Sequence, residues 1–280
     1  MVTPMKSPIF TRGWILTKIF KALPEKILGA ANDSPSLLLW LACSSMALPM
    51  VILVTQGVQR NLGINPLDVL TRRPGYWSLI FLTMALSVAP VRHACVLTAK
   101  SLQWQYGKRL SDWNFLIRLR RPIGLASFFY GVIHCSIYFA LNLDFNWDDF
   151  QDDLFHKPYI VTGVAAFILL IPLAVTSTDG WIKRLKGNWK TLHSTVYIAA
   201  LLAVSHFYLL SKPGVVHYRP FVGVLGLIFI YRLIKQWQKI TLPQDAIDGT
   251  VPARTPGSAP GSMSSSSKSG MTVQDLDETI

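Results

Sequence analysis

Three histidines, His134, His193 and His206, lie inside apolar segments of membrane-spanning length. A polar ring in hydrocarbon is costly, so it faces a bundle interior and does a job there. Imidazole is a common ligand of heme iron. The pattern therefore points to heme iron held between membrane helices, with one-electron chemistry at the metal. His193 and His206 share one segment and are 13 residues apart, which is about 20 Å along a helix. On a straight helix that spacing turns the two side chains about 140° apart. They then need a tilted segment, or two cofactors approached from different sides.

The elements that must position these rings are six apolar spans: Ser36–Val58, Tyr76–Val91, Ile123–Leu143, Tyr159–Ser177, Leu192–Leu210 and Phe221–Ile234, the last extending toward Trp237. Each approaches the roughly 20 residues needed to cross a bilayer. The chain is 51% hydrophobic and 15% charged, well below the charge content of soluble domains. The fold expected is an all-α integral membrane protein, a six-helix bundle. Pro49 and Pro172 fall within spans and are expected to kink them.

Lys and Arg set the orientation. Five lie before the first span, seven in 92–122, four in 178–191 and five from Arg232 onward, against three, one and two in the other connections. Positive charge is retained on the cytoplasmic side, so both termini are expected there. The net charge of +12 thus reflects topology, and nucleic acid is not an expected partner. The outer connection 144–158 carries Asp144, Asp148, Asp149, Asp152 and Asp153 against Lys157. It is either a solvated loop or a docking face for a soluble partner. Residues 1–34 read as a basic amphipathic segment at the lipid interface, unlike a cleavable signal. Residues 35–240 form the membrane domain, and the Ser-, Gly- and Pro-rich stretch 241–280 reads as a disordered tail.

Depth pairs the histidines. His134 is 11 residues from the inner end of its span, His206 is 14 and His193 is one. The first two differ by three residues, about 4.5 Å of rise, and are expected to clamp one iron toward the outer half of the bilayer. His193 marks an inner site with another partner. Arg120 lies near His134's helical face at the inner end, where it anchors the span and would pair with a propionate of a second, inner heme. The alternative for any one of these histidines is a bundle residue hydrogen-bonded to a neighbouring helix. His93, His156 and His217 read as surface or interface residues. Cys43, Cys95 and Cys135 form no CxxC or CxxCH motif, which removes support for covalent heme and cysteine-ligated clusters.

Three stretches carry a resemblance: RRPIGLASFFYGVIH (120–134), KPYIVTGVAAFILLIPLAVTST (157–178) and NWKTLHSTVYIAALLAVSHFY (188–208). They resemble the MsrQ (YedZ) family, the heme-binding membrane subunits of bacterial periplasmic methionine sulfoxide reductase systems, within the ferric reductase-like transmembrane superfamily. The resemblance implies a multi-pass protein of the bacterial inner membrane that binds heme b, one or two per chain. Electrons would come from the quinone pool or a cytoplasmic flavin reductase. They would pass to a periplasmic molybdopterin-containing reductase that repairs methionine sulfoxide in proteins. By position, His134, His193 and His206 match the family's heme-associated histidines and Arg120 the arginine of its Arg-Arg pair. FMN is implied by the resemblance alone. The connection from His93 to about Arg118 looks long for the family.

Two other functions compete with an electron-transfer subunit. A proton channel or transporter would use the histidines as a relay, but no pseudo-repeat or pair of broken spans is evident. A stand-alone ferric reductase would need a flavin or nicotinamide domain, for which the tail is too short.

Overall fold

The computed structural model describes residues 29–30, 34–104, 106–211 and 219–241. Most of the basic segment 1–34, the tail beyond 241 and His217 lie outside the described residues. The described residues are helical: α1 (Pro35–Val58), α2 (Pro66–Ser101), a 3-10 turn (Leu110–Trp113), α3 (Asn114–Ile137) running on as a π turn (Tyr138–Asn142), α4 (Trp147–His156), α5 (Pro158–Val175), α6 (Asp179–Leu185), α7 (Gly187–Ser194), α8 (Val196–Leu210) and α9 (Arg219–Thr241). Among them, six segments are long and apolar enough to cross a membrane. Large apolar side chains point outward all along α1, with Trp40 74% and Val58 80% exposed. Such a surface suits lipid, not water.

The second span is much longer than its apolar core. Hydropathy marks 76–91, whereas α2 holds 36 residues. Its start is set by chemistry outside the apolar run: Asn65 caps the Asp68 N–H and Pro66 occupies the first turn. The helix also continues past Val91 to Ser101, and α3 begins at Asn114. The long inner connection expected over 92–122 therefore shrinks to 102–113. Arg92 fastens it, with Nε and Nη2 donating to the Leu110 carbonyl at 3.0 and 2.7 Å and Nη2 donating to Asn114 Oδ1 at 2.7 Å.

Helices α2 and α3 pack antiparallel, as their paired residues show. Ser78 Oγ donates to the Ser127 carbonyl at 2.8 Å, and Ser127 Oγ returns a bond to the Ser78 carbonyl at 2.9 Å. Ser127 is fully buried, and small hydroxyl residues let the backbones approach closely. Phe81, Ala85, Ile123 and Tyr130 form the core beside this seam. Tyr130 also repairs α1. Next to Pro49, its hydroxyl accepts from the Met50 N–H at 3.1 Å and donates to the Met46 carbonyl at 2.8 Å. Those two groups would bond each other in an unbroken helix, so the side chain is inserted into the ladder. Tyr130→Phe is expected to lower thermal stability in detergent by about 0.6–1.7 kcal/mol, the range for interhelical bonds in membranes. Differential scanning fluorimetry of the purified protein reads this.

The fifth span is not one straight helix. It breaks for one residue at Thr195, between α7 and α8. There Thr195 N–H bonds the Leu192 carbonyl at 3.1 Å, an i→i−3 bond. Ser194 and Thr195 hydroxyls bond back to Thr191 and Leu192 carbonyls at 2.6 and 2.7 Å. Such back-bonds compete with the ladder and bend helices. The chain divides into two compact units, 1–225 and 226–280. The described part of the second unit is the remainder of α9, helical to Thr241.

Candidate functional site

His134 on α3 and His206 on α8 meet. Their ring centroids are 6.1 Å apart and the ring planes cross at 73°. Each ring is held by a backbone carbonyl of the antiparallel neighbour. His134 Nδ1 bonds the Thr71 carbonyl of α2 at 2.7 Å. His206 Nδ1 bonds the Tyr159 carbonyl of α5 at 2.6 Å. A carbonyl only accepts, so both Nδ1 atoms carry the proton, and in each neutral ring Nε2 keeps its lone pair. An Nδ1–H fixed to a carbonyl is the usual way a protein sets the tautomer and aim of a ligating histidine.

This arrangement fits a metal between two imidazoles. With a metal–nitrogen bond of about 2.0 Å and a ring radius of about 1.1 Å, opposed rings on one metal have centroids about 6.2 Å apart. The observed 6.1 Å agrees. The rings also lie against glycine in both places, Gly75 on α2 and Gly163 on α5. An aromatic triad borders the pair. Tyr76, which follows Gly75, packs edge-on against Phe221 at 5.5 Å and Phe207 at 6.1 Å, and Phe207 follows His206. Phe128 stacks on Phe167 at 5.8 Å with planes 6° apart, about two helical turns along α3 from His134.

His193 sits elsewhere. Tyr159 in the first turn of α5 serves His206, and Thr176, the C-cap of the same helix, serves His193; these positions are 17 residues apart, about 25 Å of helical rise. The Thr176 hydroxyl donates to the Pro172 carbonyl at 2.6 Å. Its oxygen therefore accepts from His193 Nε2–H at 3.1 Å. Trp189, one turn before His193, stacks on the imidazole at 4.0 Å and donates Nε1–H to the Thr176 carbonyl at 3.1 Å. The Arg120 guanidinium is near enough for its charge to act on His193. Its neighbour Arg121 ties α3 to the α5–α6 corner through the Ser177 carbonyl and, at 2.9 Å, Asp179. Nε2 of His193 is thus engaged by Thr176, whereas among the described residues the hydrogen bonds of His134 and His206 are made by Nδ1.

Chemistry-bearing groups outside the histidine pattern also converge. The Thr71 hydroxyl is shared between the Leu67 carbonyl at 2.9 Å and Asn142 Oδ1 at 3.1 Å. Asn142 closes the π turn, and π turns recur at functional sites. Backbone acceptors at Thr71 and Tyr159 leave no side-chain signature in the sequence. Trp189 and Thr176 stand in motifs visible there, Trp-x-x-Leu-His and Leu-Ala-Val-Thr-Ser-Thr, but nothing in those motifs says which groups bond.

The acidic connection is not a plain loop: it contains α4. Its Asp153 accepts hydrogen bonds from the Tyr138 hydroxyl and from Lys157 Nζ at 2.5 Å, joining the end of α3 to the start of α5. Partial burial raises the Asp153 pKa, but hydrogen bonds from Lys157 and Tyr138 outweigh it and hold the carboxyl below its usual value. The Asp153 partner in turn raises the Lys157 pKa. A depressed carboxylate stabilises the fold above its unfolded pKa and loses that contribution as pH falls through the folded value. Asp153→Asn is expected to cost about 1–2 kcal/mol at neutral pH. The difference from the parent should shrink below about pH 4. Thermal melts of both proteins across pH 3–7 give this comparison.

A family profile described as "Ferric reductase like transmembrane component" matches residues 74–204. The chain is 36% identical over 198 residues to "Protein-methionine-sulfoxide reductase heme-binding subunit MsrQ" of Herminiimonas arsenicoxydans, covering 70% of this chain and 83% of that protein. It is 39% identical over 188 residues to the protein of the same name from Rhodospirillum rubrum, covering 67% and 83%. A Xanthomonas euvesicatoria protein, also of that name, is 36% identical over 204 residues, covering 72% and 85%.

Proposed function

The chain belongs to the MsrQ family of heme-binding subunits, and from that premise we propose that it is a transmembrane electron conduit holding a b-type heme between His134 and His206. It is a multi-pass protein of the bacterial inner membrane. The observation that carries the reading is the pair itself: two rings 6.1 Å apart, each with Nδ1–H on a carbonyl. Bound heme supplies one-electron cycling of iron between ferric and ferrous states. The residues supply the rest. The carbonyls of Thr71 and Tyr159 hold the two Nδ1–H groups, which leaves both Nε2 lone pairs for the iron and strengthens them as donors.

Direction follows from charge. Arg120, Arg121, Lys183, Arg184, Lys186 and Lys190 gather at the end that carries His193, and this end is assigned to the cytoplasm. The donor there is quinol or a flavin reductase. His193, Trp189 and Arg120 form the inner station. The opposite end carries acidic α4 and faces the periplasm. The acceptor is a molybdenum-cofactor reductase that repairs methionine sulfoxide, as the family resemblance implies. The test is a reduced-minus-oxidised optical spectrum with heme quantified per chain. A b-type spectrum with at least one heme per chain is expected. A folded, colourless preparation that cannot be reconstituted with heme would sink the proposal.

A further inference from the structure

We propose that Gly75 and Gly163 are positioning residues that let each histidine ring reach its carbonyl and so fix the angle between the two ring planes. This rests on the reading of His134 and His206 as heme ligands. The same three-part device occurs twice. On α2 the carbonyl is Thr71's and the glycine is Gly75; on α5 the carbonyl is Tyr159's and the glycine is Gly163. The carbonyl-to-glycine spacing is four residues in both.

Four is the spacing of the α-helical hydrogen bond, so each glycine's own N–H donates to the carbonyl that the histidine uses. That oxygen has two lone pairs and can serve both donors; the Tyr159 oxygen is also approached by the Thr162 hydroxyl at 2.9 Å. The ring, however, must come in over the residue at i+4, which lies on the same helix face as the carbonyl. Any side chain there would stand in its path. A Cβ at Gly75 would lie 2.9 Å from His134 Nδ1, 3.1 Å from Cε1 and 3.2 Å from Cγ. At Gly163 the corresponding distances to His206 are 2.7, 2.9 and 3.2 Å. Every one is below normal van der Waals contact. The obstructed atoms belong to a ring tied at Nδ1, which has no free end to swing aside. By contrast, a Cβ at Gly124, on the same helix as His134, meets nothing within 4 Å.

With Ala at either site the ring must tilt or lose its carbonyl. Either change disturbs the Nε2 aim and the 73° crossing of the planes. Near-perpendicular axial imidazoles give ferric low-spin heme a strongly anisotropic electron paramagnetic resonance signal, distinct from the rhombic signal of near-parallel planes. That signal reads ring orientation and not activity.

The experiment compares the parent with Gly75→Ala, Gly163→Ala and Gly124→Ala in detergent, measuring heme per chain, the ferric resonance spectrum and thermal stability. The parent and Gly124→Ala are expected to share the anisotropic signal and full heme content. Gly163→Ala is expected to lose about tenfold or more in heme affinity, and Gly75→Ala somewhat less, the scale seen when a ligand's outer partner is disturbed. Residual heme should show a shifted or high-spin signal. Ala is the better helix former, so a merely structural glycine would give equal or higher stability with an unchanged spectrum. That result for both variants overturns the inference. If the variants do not accumulate, the parent decides: an anisotropic signal supports it and a rhombic one overturns it. A parent without heme defeats the ligand reading itself, which is a different failure.

Discussion

His206→Ala is expected to reduce bound heme by at least tenfold, and His134→Ala to do the same. Disturbing an outer partner of a ligand typically costs ten- to a hundredfold in affinity, so removing the ligand itself costs at least about as much. Neither ring has a substitute within its own helix: among the described residues, His156 bonds Asp152 on exposed α4 and His93 bonds the Ala89 carbonyl of its own helix. Both variants also take one donor from a helical carbonyl: Thr71's keeps its ladder partner, and Tyr159's keeps its ladder partner and the Thr162 hydroxyl at 2.9 Å, so the change is small. The fold should therefore persist while color is lost, and heme per chain on purified protein measures this. What remains bound is expected to be high-spin, because one of the two imidazole nitrogens that would hold the iron is gone. If each variant kept a full complement of low-spin heme, the ligands would have to be sought elsewhere.

The pairing of these two residues was legible because depth is readable in a membrane chain. Long apolar runs fix where each span lies, and helical rise converts a residue count into height. The same logic placed His193 at another level. Boundaries were less legible. Residues 72–75, Arg-Arg-Pro-Gly, are polar and turn-like, so hydropathy starts the second span at Tyr76. The helix nevertheless begins at Pro66, because its cap chemistry lies beyond the apolar run. The break at Thr195 depends on hydroxyl back-bonds that compete with the ladder. Serine and threonine permit such bonds without requiring them. What holds the rings was illegible for a deeper reason. A carbonyl acceptor carries no residue type, and a glycine gives no sign of which neighbour needs its missing side chain.

His193→Ala is expected to separate the two levels of the molecule. The residue bonds Thr176 and stacks on Trp189, about 25 Å of helical rise from the residues that serve the His134–His206 pair. Its removal touches neither Nδ1 bond at the outer pair. The outer heme should remain, with its ferric resonance unchanged. Electron tunnelling falls steeply with distance, and a single step across that span is too slow to sustain turnover. If a second heme were held at the His193 level, as the sequence reading expects, reduction of the outer heme from the cytoplasmic side should slow on the order of tenfold or more, equivalent to about 1.4 kcal/mol of added barrier. Thr176→Val tests the same station more gently. It keeps the ring and its Trp189 stack but removes the hydroxyl that accepts from Nε2–H, so a smaller slowing is expected. Stopped-flow reduction in proteoliposomes, with donor supplied on one side, measures both variants against the parent. Equal rates in parent and His193→Ala would remove His193 from the path and leave Arg120 and Trp189 as packing and charge at the inner boundary. Loss of the outer heme in His193→Ala would instead mean that the two levels are coupled through α7 and α8, and the break at Thr195 would then be the place to look.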